Sequence, residues 1–330
     1  MSAAASPASP GAPIGPDPDL TLAQVGEFAL VRALAERFPQ GEQVLLGPGD
    51  DAAVVAVPDG RVVVSTDLLV EGRHFRRDWA EAVDIGHKAA AQNLSDINAM
   101  GGRATALTVG LAAPGDLTVG WALGLAEGIA AEAALVGASV VGGDVTAGDA
   151  ITLAITVLGR VDGEPVRRGG AHPGDQLALA GRQGWAEAGL AVLGRGFRSP
   201  RALVEAHRRP VPPYDAGAQA AAAGATAMID VSDGLLADLG HLAEASQVAV
   251  DVHTGAFAIP EPLRAVGAAL GADPLRFILT GGDDHALVAT FPAGTTLPDG
   301  WSPIGTVGEG EGVTVDGARY EGAEGHEHFR

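Results

Sequence analysis

Short apolar runs rich in Val, Ile and Leu recur along the chain, and each leads into one or more aspartates. Four of these runs span residues 61–67, 138–144, 227–233 and 277–284. Runs of this length and composition predict buried strands. Because open α/β sheets bind ligands beyond the carboxyl ends of their strands, we expect these aspartates to form an acidic rim at a sheet edge.

Longer stretches with apolar residues every three or four positions alternate with the predicted strands. This spacing predicts helices over 21–38, 80–100, 118–136, 214–223, 233–246 and 261–270. Further strands are expected at 53–57, 104–111, 150–161, 176–180, 248–252, 276–280 and 286–291. The turn signal Pro58-Asp59-Gly60 predicts a hairpin between the strands on either side of it.

Both halves of the sequence are mixed α/β, and 330 residues suffice for two domains. A stretch containing Gly and Arg at 162–175 marks the junction. It predicts an N-terminal domain over 19–162 and a C-terminal domain over 163–330. Residues 1–18 lack the basic and apolar parts of a signal peptide, and we expect them to form a disordered tail.

The net charge of −20 argues against nucleic acid and anionic membranes as partners. The longest apolar stretch, 119–143, is interrupted by Glu127 and Glu132, which predicts a helix and a strand and not a membrane span. The absence of cysteine rules out disulfides, thiolate metal sites and cysteine nucleophiles. It is compatible with a cytoplasmic location.

Clustered carboxylates repel one another unless a hard cation lies between them. So acidic a chain can bind phosphates only through cations or through locally placed Arg and Lys. We therefore expect a Mg²⁺-lined site for a phosphorylated substrate. The sequence has no P-loop and no protein-kinase signature. Residues 47–52 match G-x-G-x-x-A, but a strand follows them where a dinucleotide site requires a helix. Metal ligation by this acidic segment is preferred over a plain acidic turn, because other acidic strand ends accompany it.

The predicted helix over 80–100 carries an unusual polar stripe. At helical spacing its members fall on one side, and they are Lys88, Gln92, Asn93, Ser95 and Asp96. A solvated surface is one explanation. A surface facing a ligand is the other, and Asp flanked by Asn and Ser favours it over the usual Glu and Lys mixture.

Asp230, Ser232 and Asp233 follow one another at the end of a predicted strand. Ser232 is expected to cap the next helix, and Asp233 suits the first turn of that helix. This structural role does not account for Asp230, because a carboxylate inside an apolar strand needs a partner.

Two loops add candidates of lower specificity. His74 follows a Gly and an Arg, and lone histidines are mostly structural or exposed. Arg167 and Arg168 precede two glycines, and form either a solvated basic loop or a phosphate clamp. The closely spaced His326 and His328 are interpreted as tail or packing residues, because a metal site needs a third ligand.

Taken in order, the motifs resemble the thiamine-monophosphate kinase family, of the superfamily that includes aminoimidazole ribonucleotide synthetase. The resemblance covers about residues 24–329. Its motifs are Gly49-Asp50-Asp51-Ala52-Ala53, Ser65-Thr66-Asp67-Leu68-Leu69-Val70-Glu71-Gly72-Arg73-His74-Phe75, Asn93-Leu94-Ser95-Asp96, Gly142-Gly143-Asp144, Asp230-Val231-Ser232-Asp233-Gly234-Leu235 and Gly281-Gly282-Asp283-Asp284.

The resemblance implies a two-domain mixed α/β fold and a homodimer that pairs through the N-terminal sheets. It also implies phosphorylation of thiamine phosphate to thiamine diphosphate, with ATP as co-substrate and several Mg²⁺ ions. Because the acceptor's phosphate oxygen is already ionised, we expect direct in-line transfer. The implied Mg²⁺ ligands are Asp51, Ser65, Thr66, Asp67, Asp96, Asp144, Asp230 and Asp233. The implied contacts are Gly143, Asp144, Arg168 and Ser232 for ATP, and His74 and Asp283 for thiamine phosphate.

Two positions depart from the family pattern. Asp283 stands where the family usually has Glu, and Ala323 lies where a Trp often precedes the final Gly-x-x-His-Phe. Two alternatives stay open: another ATP-using enzyme of the superfamily, or a catalytically silent paralogue that binds nucleotide or metal. Selenophosphate synthetases and the hydrogenase-maturation relative commonly depend on cysteine or selenocysteine, which this chain lacks.

Overall fold

Two larger β-sheets, each drawn from one half of the chain, organise the computed structural model, which describes residues 17–48, 53–58 and 60–326. The elements of the first half are α1 Leu22–Val25, α2 Glu27–Ala35, β1 Val44–Leu46, β2 Val54–Val55, β3 Val63–Val70, α3 Ala82–Ala99, β4 Gly102–Ala113, α4 Val119–Leu135, β5 Ser139–Ala147 and β6 Thr152–Val161. Those of the second half are β7 Gln176–Ala180, α5 Trp185–Gly194, α6 Arg201–Arg208, α7 Ala216–Ala222, β8 Ala227–Asp230, α8 Leu235–Ser246, β9 Ala249–Val252, a 3₁₀ turn Thr254–Ala256, α9 Glu261–Leu270, α10 Pro274–Thr280, β10 Leu287–Phe291, β11 Trp301–Gly308 and β12 Gly312–Val315.

The first sheet has the strand order β3-β6-β4-β5 and is covered on one face by α3 and α4. Side chains alternate between the two faces, so Leu69 and Ile155 are fully buried under α3. The opposite face is bare along β3, where Val64 and Leu68 are 59% and 57% exposed. A groove of about 480 Å³ also opens on that side of the sheet.

Close contact between α3 and α4 fixes the position of α3 over the first sheet. A Cβ atom at Gly86 would collide with the carbonyl oxygen of Leu125, and one at Gly128 with that of Val83. Only glycine allows the two backbones to approach this closely. The helix begins with a capping box formed by Glu81 and Asp84.

The second sheet has the order β12-β9-β11-β7-β10-β8, and only β9 and β12 pair in parallel. In the first sheet only β4 and β5 are parallel. Because most neighbouring strands are antiparallel, their carboxyl ends do not meet at one edge. The acidic rim predicted from the sequence is therefore wrong: Asp67 and Asp144 lie in the middle of their strands, and Asp230 ends β8.

Three predicted elements also differ from the structure. The segment predicted as a strand over 276–280 is helical, because Asp273 caps it and Pro274 occupies its first position, a start signal that outweighs the apolar run. The hairpin around Pro58 is absent from the described residues, since β2 pairs with β1 while β3 pairs along its whole length with β6. The helix predicted over 21–38 is broken at Gly26, whose φ is 77°.

The helices predicted near 80–100, 118–136 and 233–246, and the strand at 176–180, are confirmed. The division into domains at 162 and 163 stays a prediction. The predictions for residues 1–16, for Asp51 and its neighbours at 49–52, and for residues 327–330 lie outside the described residues. In the part of the chain that is described, no helix is long and apolar enough to cross a membrane.

Candidate active site

The polar stripe of α3 lies over the middle of β3 and is largely buried. Ser65 donates a hydrogen bond from Oγ to Asp96 Oδ2 at 2.6 Å. The backbone N–H of Asp67 donates to Asn93 Oδ1 at 3.1 Å. Asn93 and Ser95 are fully buried. The alternative of a solvated polar surface is therefore wrong, and the strand and the helix together hold two carboxylates, Asp67 and Asp96, at one place.

Asp230 reaches the same place from the second sheet. It is the last residue of β8, is 5% exposed, and lies 3.3 Å through Oδ2 from Nδ1 of His285. The expectation that Asp230 needs a partner is confirmed. Sequence reasoning did not identify His285 as that partner. Its only sequence signal was a histidine directly after two aspartates, and its φ of 52° shows an unusual backbone that no pattern predicted.

The electrostatics show that these carboxylates influence one another. Burial, together with the smaller effects of the charges of Asp230 and Asp67, raises the pKa of Asp96 to about 7. Burial also raises the pKa of Asp67, with a smaller contribution from Asp230. Burial alone would lower the pKa of His285, but its bond to Asp230 raises it overall. Three acids thus share a site with His285 close by as a partial counter-charge.

The donor atoms of this cluster suit a hard divalent cation. Ser65, Asp67, Asp96 and Asp230 offer only oxygen, the ligand that Mg²⁺ prefers. A bound cation would relieve the repulsion among these carboxylates. Its ligands would also supply a partner for the buried His285 Nε2, which has no hydrogen-bond partner within the described residues. Within those same residues no three His, Asp or Glu side chains are already close enough to hold a metal ion. The side chains of this cluster are therefore of the type that binds a divalent cation.

Two predicted metal ligands lie away from this cluster. Thr66 faces away from α3, donating from Oγ1 to the Ile155 carbonyl at 3.0 Å and accepting from Thr156. Asp144 is exposed on β5, the outer strand opposite β3. With β6 and β4 between them, Asp144 and Asp67 are separated by about 14 Å at ~4.8 Å per strand.

The segment after β8 is held by Asp238, not by Ser232. One oxygen of Asp238 accepts hydrogen bonds from the backbone N–H groups of Ser232, Asp233 and Gly234, at 3.0, 3.1 and 3.2 Å. The expected Ser232 cap is wrong, because helix α8 begins one residue after Gly234 and the acid in its own first turn reaches back. This arrangement leaves the side chains of Ser232 and Asp233 outside the cap.

We expect Asp238→Ala to lower the free energy of unfolding by about 2–4 kcal/mol, because three N–H groups lose their acceptor. Asp238→Asn, which keeps a carbonyl oxygen, should lose roughly half as much. Urea denaturation measures both. Glu261→Ala, at an exposed first-turn acid of α9, is the control and should change little. Equal losses in the Asn and Ala variants would contradict this role for Asp238.

The residues predicted to contact the acceptor lie near Lys88, at the start of the same polar stripe of α3. His74 Nδ1 accepts a hydrogen bond from the Val70 backbone N–H at 2.9 Å. Asp283 accepts one from Lys88 at 2.7 Å. Of the residues predicted to contact ATP, Arg168 and Gly143 are exposed.

Comparison with known proteins identifies the family. Residues 49–161 match the model of the AIR synthase related protein, N-terminal domain. A thiamine-monophosphate kinase of Mycobacterium tuberculosis is 48% identical over 312 residues, 94% of this chain and 93% of that protein. The chain belongs to the thiamine-monophosphate kinase family. Its mixed α/β fold is accordingly the aminoimidazole ribonucleotide synthetase-like fold.

Solved structures of the thiamine-monophosphate kinase family agree with the fold. The thiamine-monophosphate kinase of Stenotrophomonas maltophilia K279a has a TM-score of 0.80 at 34% identity, over 89% of this chain and 98% of that one. The structure of "AaThiL complexed with AMPPCP and TMP" has a TM-score of 0.78 at 31% identity, over 94% of this chain and 99% of that one. Likeness of this extent covers both sheets, so it includes the elements that carry the acidic cluster.

Proposed function

We propose that this chain transfers the γ-phosphoryl group of ATP to thiamine phosphate, giving ADP and thiamine diphosphate. One observation of the structure carries the proposal: Asp67, Asp96 and Asp230 come together where α3 packs against β3 and β8. Family membership and a relative whose structure is described as a complex with AMPPCP and TMP support the same reaction.

Ser65, Asp67, Asp96 and Asp230 would hold Mg²⁺, and Asp51, Thr66, Asp144 and Asp233 remain predicted ligands. The chemistry that Mg²⁺ supplies is neutralisation of charge on the phosphates of both reactants. The protein's own part is to position the two anions and to keep its carboxylates ionised around them. Gly143, Asp144, Arg168 and Ser232 would contact ATP, while His74 and Asp283 would contact thiamine phosphate.

Transfer is proposed to be direct and in line. The attacking oxygen belongs to a phosphate that is already ionised at neutral pH, so no general base is needed. No protein nucleophile is needed either. A covalent phosphoenzyme that accumulates with ATP and Mg²⁺ alone, detected by intact-protein mass spectrometry, would contradict direct transfer. We expect the mass of the protein to remain unchanged both before and after the acceptor is added.

We further propose that the chain functions as a homodimer that pairs through the bare face of the first sheet. Val64 and Leu68 place large apolar side chains on that face at 59% and 57% exposure, a pattern typical of an interface. A two-fold interface would pair each sheet with its copy. Since Asp144 lies on the far strand from Asp67, we infer that it serves the site of the second copy.

The function is tested by ADP release coupled to a reporter enzyme, with thiamine diphosphate measured by chromatography. Three arms separate the alternatives: thiamine phosphate, an aminoimidazole-ribonucleotide precursor, and no acceptor. We expect ADP and thiamine diphosphate in equal amounts in the first arm only. Turnover with the aminoimidazole precursor would favour the other superfamily enzyme, and ADP release without an acceptor, or no turnover, the silent paralogue.

A further inference from the structure

Lys88 is the only lysine in the chain, which has arginine at its other basic positions. It lies on α3 with 4% of its side chain exposed. An ammonium group is compact, whereas a guanidinium is a wide planar fork. Lysine therefore suits a closed position that needs a positive charge in little space.

The Lys88 ammonium group faces Asp283. Lys88 Nζ donates to Asp283 Oδ2 at 2.7 Å, and lies 3.5 Å from the backbone oxygen of His207. The Asp283 side chain keeps 40% of its surface exposed. Lys88 thus holds one oxygen of the Asp283 carboxylate, and the exposed part of that side chain remains available to a ligand. Lys88, with 4% of its side chain exposed, itself offers little surface to a phosphate.

The backbone of Asp283 is fixed from a second direction. Its N–H donates to the Ser232 carbonyl at 3.0 Å, and a Cβ atom at Gly282 would collide with that same oxygen. The φ of Asp283 is 65°, a left-handed conformation that non-glycine residues seldom adopt. Backbone and side chain are therefore constrained independently, the first by Ser232 and the second by Lys88.

His207 completes the surroundings of Asp283 without adding a charge. Its Nδ1 lies 4.0 Å from the Asp283 carboxylate and has no hydrogen-bond partner within the described residues. Burial, and to a smaller extent the charge of Lys88, lower the pKa of His207 to about 3, so the imidazole is neutral at pH 7. Burial would raise the pKa of Asp283, but the charge of Lys88 lowers it below its ordinary range.

Lys88 also adjoins the other residue predicted to contact the acceptor. With His207 and Trp79 it lines a cavity of about 10 Å³ that has His74 on its wall. A space of this size holds one water molecule at most. Lys88 thus donates to Asp283 and shares the wall of a small cavity with His74.

We propose that Lys88 is a positioning residue, which with His207 holds the Asp283 carboxylate ionised and aimed at the cationic heterocycle of the acceptor. It does not touch the phosphate that is transferred. This inference rests on the proposed function and adds to it the device that makes the shorter Asp283 carboxylate effective.

A double-mutant cycle tests it. Lys88→Met, Asp283→Asn and the double variant are compared for the KM of thiamine phosphate, the KM of ATP, and calorimetric binding of thiamine phosphate. We expect each single variant to raise the KM of thiamine phosphate about 10–100-fold, as loss of a charged hydrogen bond does, with the KM of ATP unchanged. The double variant should match Asp283→Asn. An unaltered KM in Lys88→Met, or a double variant weaker than Asp283→Asn by a further tenfold, would overturn the proposal.

Stability is controlled separately. Lys88→Met leaves the Asp283 carboxylate without its cation, so its kinetics are compared only under conditions where the variant is folded. The double variant removes both charges and can be compared directly with Asp283→Asn. Arg209→Met breaks another ion pair of α3, to Asp84, and should lower stability without changing the KM of thiamine phosphate. Wild-type protein that neither binds nor phosphorylates thiamine phosphate overturns the proposed function itself. Normal binding by Lys88→Met overturns this inference alone.

Discussion

Replacing Asp96 by Asn is expected to lower turnover with thiamine phosphate by about 10²–10³-fold or more while the protein stays folded. The amide keeps an oxygen that can accept the hydrogen bond from Ser65, so local packing is preserved. What is lost is one negative charge among the carboxylates that would hold Mg²⁺. Steady-state kinetics across a Mg²⁺ titration measures the loss, which saturating Mg²⁺ should not restore. Unchanged turnover would remove Asp96 from the proposed metal set.

Asp96→Asn should also stabilise the metal-free protein, and the shifted pKa of Asp96 determines how this effect depends on pH. The folded-state pKa of Asp96 is raised to about 7, above the ordinary 3.8, so folding favours the protonated acid. The wild-type protein therefore loses stability as pH rises from about 4 to about 7, by up to ~4 kcal/mol at 1.36 kcal/mol per pKa unit. Asp96→Asn escapes this loss. Its advantage in free energy of unfolding should be small at pH 4.5 and largest at pH 7.5.

Asp84→Asn is the matched control, because it changes an acid to its amide on the same helix. Asp84 pairs with Arg209 away from the acidic cluster. We expect the opposite signature: some loss of stability, and turnover close to that of the wild-type protein. A variant pair with indistinguishable kinetics would show that the acids of α3 have no special role at the site.

Charging the bare face of the first sheet should separate the subunits and abolish turnover. Val64→Glu with Leu68→Glu places two carboxylates where the second copy is proposed to lie, and like charges would then meet across the two-fold axis. Analytical ultracentrifugation should report a dimer for the wild-type protein and a monomer for the variant. Circular dichroism confirms the fold. A wild-type monomer, or a fully active monomeric variant, would contradict the proposed dimer.

Mixing inactive subunits tests whether Asp144 serves the second copy. Asp96→Asn and Asp144→Asn chains are each expected to be inactive. If each site combines Asp96 of one chain with Asp144 of the other, random mixing leaves one intact site in half of the dimers, or about a quarter of wild-type turnover. If both aspartates act within one chain, the mixed dimers contain no intact site and remain inactive.

Local patterns identified several residues that the structure brings together in the acidic cluster, but not the strands and loops that hold them. The polar stripe from Lys88 to Asp96 and the single carboxylate of Asp230 in an apolar strand were recognisable in the sequence. Polar groups in such segments need partners when they are buried. The partners came from distant strands, however. His285 and Asp283 adopt left-handed backbone conformations set by contact with the segment after β8, which no local pattern encodes.

Strand order explains the wrong expectation of an acidic rim. Aspartate after an apolar run identified where charge would occur, but not whether neighbouring strands run parallel. Phe277 and Ile278 show the same limit, since an apolar run reads alike in a strand and in a buried helix, and the cap by Asp273 decided between them.

The most direct test is a crystal structure with Mn²⁺ in place of Mg²⁺, a non-hydrolysable ATP analogue and thiamine phosphate, with anomalous scattering locating the metal. We expect Mn²⁺ bound to Asp67, Asp96 and Asp230 and in contact with the phosphates of both ligands. Metal bound elsewhere, with these three carboxylates contacting neither metal nor nucleotide, would contradict the proposed metal site.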